Sequence, residues 1–106
     1  MGFDLAEAAL AALYKAAELE PARPEPYAGR GLALWDLGKT QSAIGAFEKA
    51  LEINPRFGLA LIGVAEAYRA EGKKDEAIRY YQKYLDVLPE GPEAPVAKAA
   101  IRALQE

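Results

Sequence analysis

Apolar and polar positions follow a helical period along most of this chain, and the pattern is interrupted at a few fixed points. The stretch from Pro24 to Phe57, PEPYAGRGLALWDLGKTQSAIGAFEKALEINPRF, reads as two helices joined by a tight turn. The first carries Tyr27, Gly31 and Leu34 and ends at Leu37-Gly38-Lys39. The second carries Ala43, Ile44, Phe47, Ala50, Leu51 and Ile53, and Asn54-Pro55 closes it. Gly38 supplies the left-handed conformation that commonly follows a helix C-terminus, and Pro55 lacks the donor that a continuing helix needs.

The same unit returns at a step of thirty-four residues. Pro21, Pro55 and Pro89 share that spacing, as do Ala9, Ala43 and Ala77; Leu10, Ile44 and Ile78; and Leu13, Phe47 and Tyr81. Lys15, Lys49 and Lys83 follow it too, and so do Leu19, Ile53 and Val87. In the first helix of the unit Tyr27 pairs with Leu61, Gly31 with Ala65, Leu34 with Tyr68, and Gly38-Lys39 with Gly72-Lys73. The register does not slip.

A helix-turn-helix unit with this period resembles the tetratricopeptide repeat (TPR) family. Small residues stand where that family brings helices close: Gly31, Ala43 and Ala50, then Ala65 and Ala77. Large apolar residues stand where it fills the space between them: Tyr27, Leu34 and Phe47, then Leu61, Tyr68 and Tyr81. The resemblance implies an all-α superhelical solenoid, one domain over residues 1–106, with full repeats at 24–57 and 58–91. Two positions depart from the pattern. Arg30 replaces the preferred leucine, its stem expected to cover apolar surface while its head stays wet. Tyr84 stands where Ala16 and Ala50 predict a small residue, which implies looser packing of the last helix.

The flanks are half-repeats. Residues 3–20 contain an alanine-rich helix from about Phe3 to Leu19 that matches only the second helix of a repeat, so one apolar side is expected to be uncovered. A proline-rich loop, Glu20 to Pro26, stops that helix and starts the next. Residues 92–105 form a last helix in the register of a repeat's first helix. Pro95, Lys98 and Arg102 fall on the positions of Leu61, Val64 and Tyr68, and this polar face is what a terminal capping helix requires. The C-terminus reads as a natural stop and the N-terminus as cut.

Composition narrows the function classes. Cysteine and histidine are both absent, which removes thiolate nucleophiles, disulfides and cysteine- or histidine-based metal sites. Ser42, Thr40 and Asn54 are single occurrences of their types. Glu48 and Glu52 lie one turn apart on a helix and Asp75-Glu76 near a helix start, which reads as a solvated face and favourable N-terminal charge. No calcium-loop spacing is present, and Gly29 and Gly31 lie inside a helix with no strand before them, so they make no phosphate loop. The reading is not an enzyme, with no cofactor. A net charge of −3 argues against nucleic acid or an anionic membrane as partner. With no spanning apolar run and no signal-peptide layout, the chain is expected to be soluble, a cytoplasmic setting being favoured.

What remains is a binding surface. In the family that the chain resembles, the first helices of successive repeats line a concave face where partners bind. One stripe there comprises Ala28, Leu32 and Trp35, which become Ile62, Glu66 and Arg69 one repeat on, then Val96, Ala100 and Ala103; Leu59 borders it. Trp35 is either an aromatic anchor at the floor of the groove or a cover folded back over the N-terminal helix. Tyr80 reads as amphipathic surface and Tyr81 as core. The resemblance also argues against chaperone C-terminal tails as ligands, because Ala28, Gly29, Leu32 and Gly63 occupy the positions of the family's carboxylate clamp. The leading expectation is a module that holds an apolar segment or helix of a protein partner in the concave groove. A homodimer through the uncovered N-terminal helix is the alternative, and a spacer within a larger repeat protein a third.

Overall fold

A computed structural model describes residues 5–106, so Phe3 lies outside the described residues. It contains six helices, and no strand among the described residues: α1 (Leu5–Leu19), α2 (Pro24–Asp36), α3 (Thr40–Ile53), α4 (Gly58–Ala70), α5 (Lys74–Val87) and α6 (Ala94–Gln105). Each helix packs against the next in the chain, and α2 also packs directly on α4. The architecture is therefore the all-α array of antiparallel helix pairs that the periodicity predicts.

The turns inside the pairs are built on glycine. Gly38 and Gly72 have φ of 79° and 77°, a region that costs a side-chain-bearing residue roughly 1–2 kcal/mol. At both turns the exposed carbonyls of the last helical residues are capped in the same way. The Gly38 amide donates to the Trp35 carbonyl at 2.9 Å, and the Lys39 amide to Leu34 at 2.9 Å. Gly72 and Lys73 repeat these bonds on Arg69 and Tyr68 at 3.0 and 2.9 Å. This pair of hydrogen bonds satisfies two orphan carbonyls and reverses the chain within a few residues. Between repeats, the Asn54 side chain accepts the Arg56 amide at 3.0 Å, forming the local turn that turns the chain past Pro55.

Close approach explains the small residues. Ala43, Ala50, Ala65 and Ala77 are fully buried; Ala43 and Ala50 share a core cluster with the buried Phe47 ring, and Ala65 and Ala77 share one with Tyr81. Burying a phenylalanine contributes roughly 1.5–3 kcal/mol. The core continues into α6 through Ala94, Ala97 and Ala100, which pack with Tyr81 and Tyr84. On α6, Pro95, Lys98 and Arg102 are exposed.

Two expectations change. Tyr84 does not mark loose packing: it is 1% exposed, and its bulk is absorbed by glycines rather than by a gap. A methyl group on Gly58 would lie 3.0 Å from its ring, and one on Gly91 would collide with its hydroxyl. That hydroxyl accepts the Glu93 amide at 2.9 Å just before α6 begins. The Arg30 head is partly covered rather than fully wet. Its guanidinium lies over the Tyr14 ring at 3.9 Å and near Tyr27 at 5.5 Å, and its Nε is buried without a hydrogen-bond partner. A guanidinium tolerates such stacking because it is weakly hydrated and its face is attracted to the aromatic quadrupole.

Candidate functional site

The first helices of the two full repeats, α2 and α4, form the walls of a small apolar pocket. Leu32 and Trp35 come from α2, and Leu59, Ile62 and Glu66 from α4; Phe47 and Gly63 lie among them. Its volume is about 160 Å³. Five of the eight residues expected from the sequence thus meet at one place. Their spacing explains why: Leu32 and Trp35 are one turn apart on α2, as are Leu59, Ile62 and Glu66 on α4, and direct packing of the two helices brings those faces together.

Leu32 and Leu59 are 43% and 47% exposed, unusually open for leucines that sit side by side on a pocket rim. Trp35 is half-buried and packs against the core cluster formed around Phe47, so it lines the groove between α2 and α4. The floor is set by glycine. Methyl groups on Gly31 and Gly63 would come within 2.6 and 2.5 Å of the Phe47 ring, so the ring can lie under both helices only because neither position carries a side chain.

The other three expected residues fall elsewhere. Ala28 is fully buried, which corrects its placement on a contact surface: its single methyl is shut in where α2 meets its neighbours. Val96 is 45% exposed on α6, one repeat further on and outside this pocket. Arg69 is exposed one turn beyond Glu66. Its guanidinium and the Glu66 carboxylate both face the Tyr81 hydroxyl, which donates to Glu66. Burial, then the bond to Glu66, push the Tyr81 phenol up to about 12, with Arg69 pulling the other way. Glu66 is thereby fixed at the edge of the pocket by a residue of the core.

Sequence reasoning assigned Phe47 to the core and considered Gly63 only as a departure from a clamp. Their joint role as the floor was signalled by Gly63 lying next to Ile62 in the stripe, at a helix position where glycine has a cost of its own. The arrangement can bury one apolar group. An apolar cavity of about 150 Å³ accommodates a benzene ring, so this space suits a single leucine- to phenylalanine-sized side chain.

Comparison with known proteins agrees with this geometry. A family model for the tetratricopeptide repeat matches residues 2–55 and 28–95. No curated protein matches the chain. Among solved structures, MamA is 26% identical over 94% of this chain, with a TM-score of 0.85, and this chain spans 57% of its length. The first TPR of Spaghetti (RPAP3), bound to the HSP90 peptide SRMEEVD, is 24% identical with a TM-score of 0.84, covering 95% of this chain and 83% of that one. The Yersinia enterocolitica type III secretion chaperone SycD, in complex with a peptide of the translocator YopD, is 15% identical with a TM-score of 0.89 over 94% and 79% of the two chains. The latter two, below 25% identity, speak to the fold alone. No described helix is long and apolar enough to cross a membrane. With thirty-four-residue helix pairs, glycine turns at Gly38 and Gly72 and a family match over most of its length, this chain belongs to the tetratricopeptide-repeat family.

Proposed function

We propose that the chain is a protein-interaction module that holds an apolar peptide segment or helix of a partner between α2 and α4. The observation that carries this reading is the pocket itself: exposed Leu32 and Leu59 flank a floor of Phe47 kept open by Gly63. Contiguous exposed apolar surface on a water-soluble face is a recurrent mark of an interaction site, and Trp35 is of the residue type most enriched at binding hot spots. The peptide complexes of the similarly folded SycD and RPAP3 domains lend support by likeness of fold. Ala28, Gly29, Leu32 and Gly63 offer no charged group to a C-terminal carboxylate, which favours an internal apolar anchor over a chaperone tail. To test the module reading, short random peptides would be selected on the wild-type protein and re-bound to a Leu32→Asp, Ile62→Asp double variant. Peptides with an aliphatic or aromatic anchor that lose binding to the variant are expected; equal binding to both proteins would move the site elsewhere.

A second reading, self-association, is favoured by α1. Leu5, Ala9, Ala12 and Leu19 form one exposed stripe, although the register partners of Ala9 and Ala12 on α3, Ala43 and Ala46, are buried. Light scattering on eluting chromatographic fractions decides it: a mass that stays monomeric as concentration rises removes this reading.

A further inference from the structure

A second, wider groove lies on the other helical layer, between α3 and α5, and has a volume of about 560 Å³. Tyr80, which lines it, stands in the register of Ala12 and Ala46. It leans on Tyr68 with ring centroids 5.9 Å apart, and the second helices of the two repeats stay splayed where the first helices touch. The groove floor is apolar, made by Leu51, Leu61 and Val87, with Pro55 at the end of α3.

The walls are charged in an uneven way. Glu48 and Glu52, one turn apart, edge the α3 side, and Asp86 stands on the α5 side with Lys83 as the lining cation. Lys83 is engaged inside the groove, its ammonium 4.4 Å from the centre of the Tyr80 ring. Two further cations flank the groove without lining it: Lys49, 3.7 Å from Glu52, and Arg56, which donates to the Val87 carbonyl at 3.0 Å. Asp86 accepts the Gln82 amide at 3.1 Å. Glu48 forms neither an ion pair nor a hydrogen bond among the described residues, yet it is close enough to the Tyr80 hydroxyl to help burial raise that phenol above its ordinary range.

We infer that the α3–α5 groove is a second docking surface, one that takes a segment of a partner protein with a bulky apolar side chain next to lysine or arginine. The apolar side chain would settle on Leu51, Leu61 and Val87, and the basic group would meet Glu48 and Glu52. The space is nearly four times the roughly 150 Å³ of a cavity that holds one benzene ring, enough for an anchor and the aliphatic stem of a lysine or arginine together. Charge complementarity selects the occupant: among the groove's charges Glu48 is the one with no ion pair or hydrogen bond among the described residues, whereas Lys83 is held on the Tyr80 face, Lys49 beside Glu52 and Arg56 on the Val87 carbonyl, so an incoming lysine or arginine finds an open partner. This surface is independent of the α2–α4 pocket and makes Lys83 part of a site, where register alone treats it as one member of a row of solvated lysines.

The test uses the intact chain and short random peptides selected for binding to it. Selected peptides would be counter-screened against Glu48→Lys, Glu52→Lys and against Leu32→Ala, with circular dichroism to establish that each variant is folded. One class is expected to pair an aliphatic or aromatic residue with lysine or arginine, to bind Leu32→Ala as it binds the wild type, and to lose at least about tenfold in affinity with the two charge reversals. The milder Glu48→Gln, Glu52→Gln pair should weaken the same peptides by a smaller factor, and added salt should do likewise. The inference is overturned if no peptide discriminates between the wild type and the charge reversals, or if the discriminated peptides show no enrichment in basic residues. It is also overturned if the charge reversals instead abolish a dimer seen by light scattering, which would make the occupant a second copy of this chain.

Discussion

Phe47 lies directly beneath Gly63, so that a single methyl group added there would come within 2.5 Å of the ring's far carbon. This contact links stability to binding, because the same ring belongs to the core and to the floor of the α2–α4 pocket. Gly63→Ala is expected to destabilise the protein. Overpacking costs about 1–3 kcal/mol, against which alanine returns up to about 1 kcal/mol of helix propensity. Gly45 provides the control, since a methyl group there meets nothing within 4 Å. Gly45→Ala should raise the melting temperature while Gly63→Ala lowers it. If both rise, Phe47 has room to move and the pocket floor is not fixed by glycine.

The hydroxyl of Tyr84 ties α5 to the start of α6 by accepting the Glu93 amide. Tyr84→Phe keeps the buried ring and removes only the acceptor, so the expected loss is about 1–2 kcal/mol. Hydrogen exchange would show where the loss falls: the amides of α6 should become less protected than those of α3. Uniform loss across the array would mean that the bond does not hold the last helix in particular.

Tyr81 gives the fold an alkaline limit. Burial and the bond to Glu66 favour the neutral phenol, whose pKa stands at about 12 rather than 10. Below pH 10 both folded and unfolded chains keep this proton and the contribution to stability is fully present. As pH rises from 10 towards 12 the unfolded chain releases the proton and the folded chain does not, so stability falls, by roughly 2–3 kcal/mol once both have titrated. Denaturant unfolding between pH 9 and 12 should show a shallower decline for Tyr81→Phe than for the wild type. Parallel declines would place the titrating group elsewhere.

The repeat was legible because its constraints are local and recur. A left-handed turn needs glycine at Gly38 and again at Gly72, and the close helix contacts need alanine at Ala43 and Ala77, so a fixed spacing exposes them. What register could not show depends on residues distant in the chain. Tyr84 fits a small-residue position because Gly58 and Gly91, on either side of it in sequence, leave it room. Arg30 stacks on Tyr14, a partner visible only once α1 is folded against α2. Ala28 shares a helical face with Leu32 and Trp35, and periodicity alone cannot tell that a methyl group will be covered where longer side chains emerge. The pocket was partly legible for the same reason: its rim follows the stripe, while its floor comes from α3, a helix outside that stripe.

The most direct test of the α2–α4 site is calorimetric titration of one selected apolar peptide into three proteins: wild type, Trp35→Ala, and Lys74→Ala on the exposed start of α5. The expected result is a loss of at least about 2 kcal/mol, near thirtyfold in affinity, for Trp35→Ala, with Lys74→Ala unchanged. Undiminished binding by a folded Trp35→Ala protein would contradict the account.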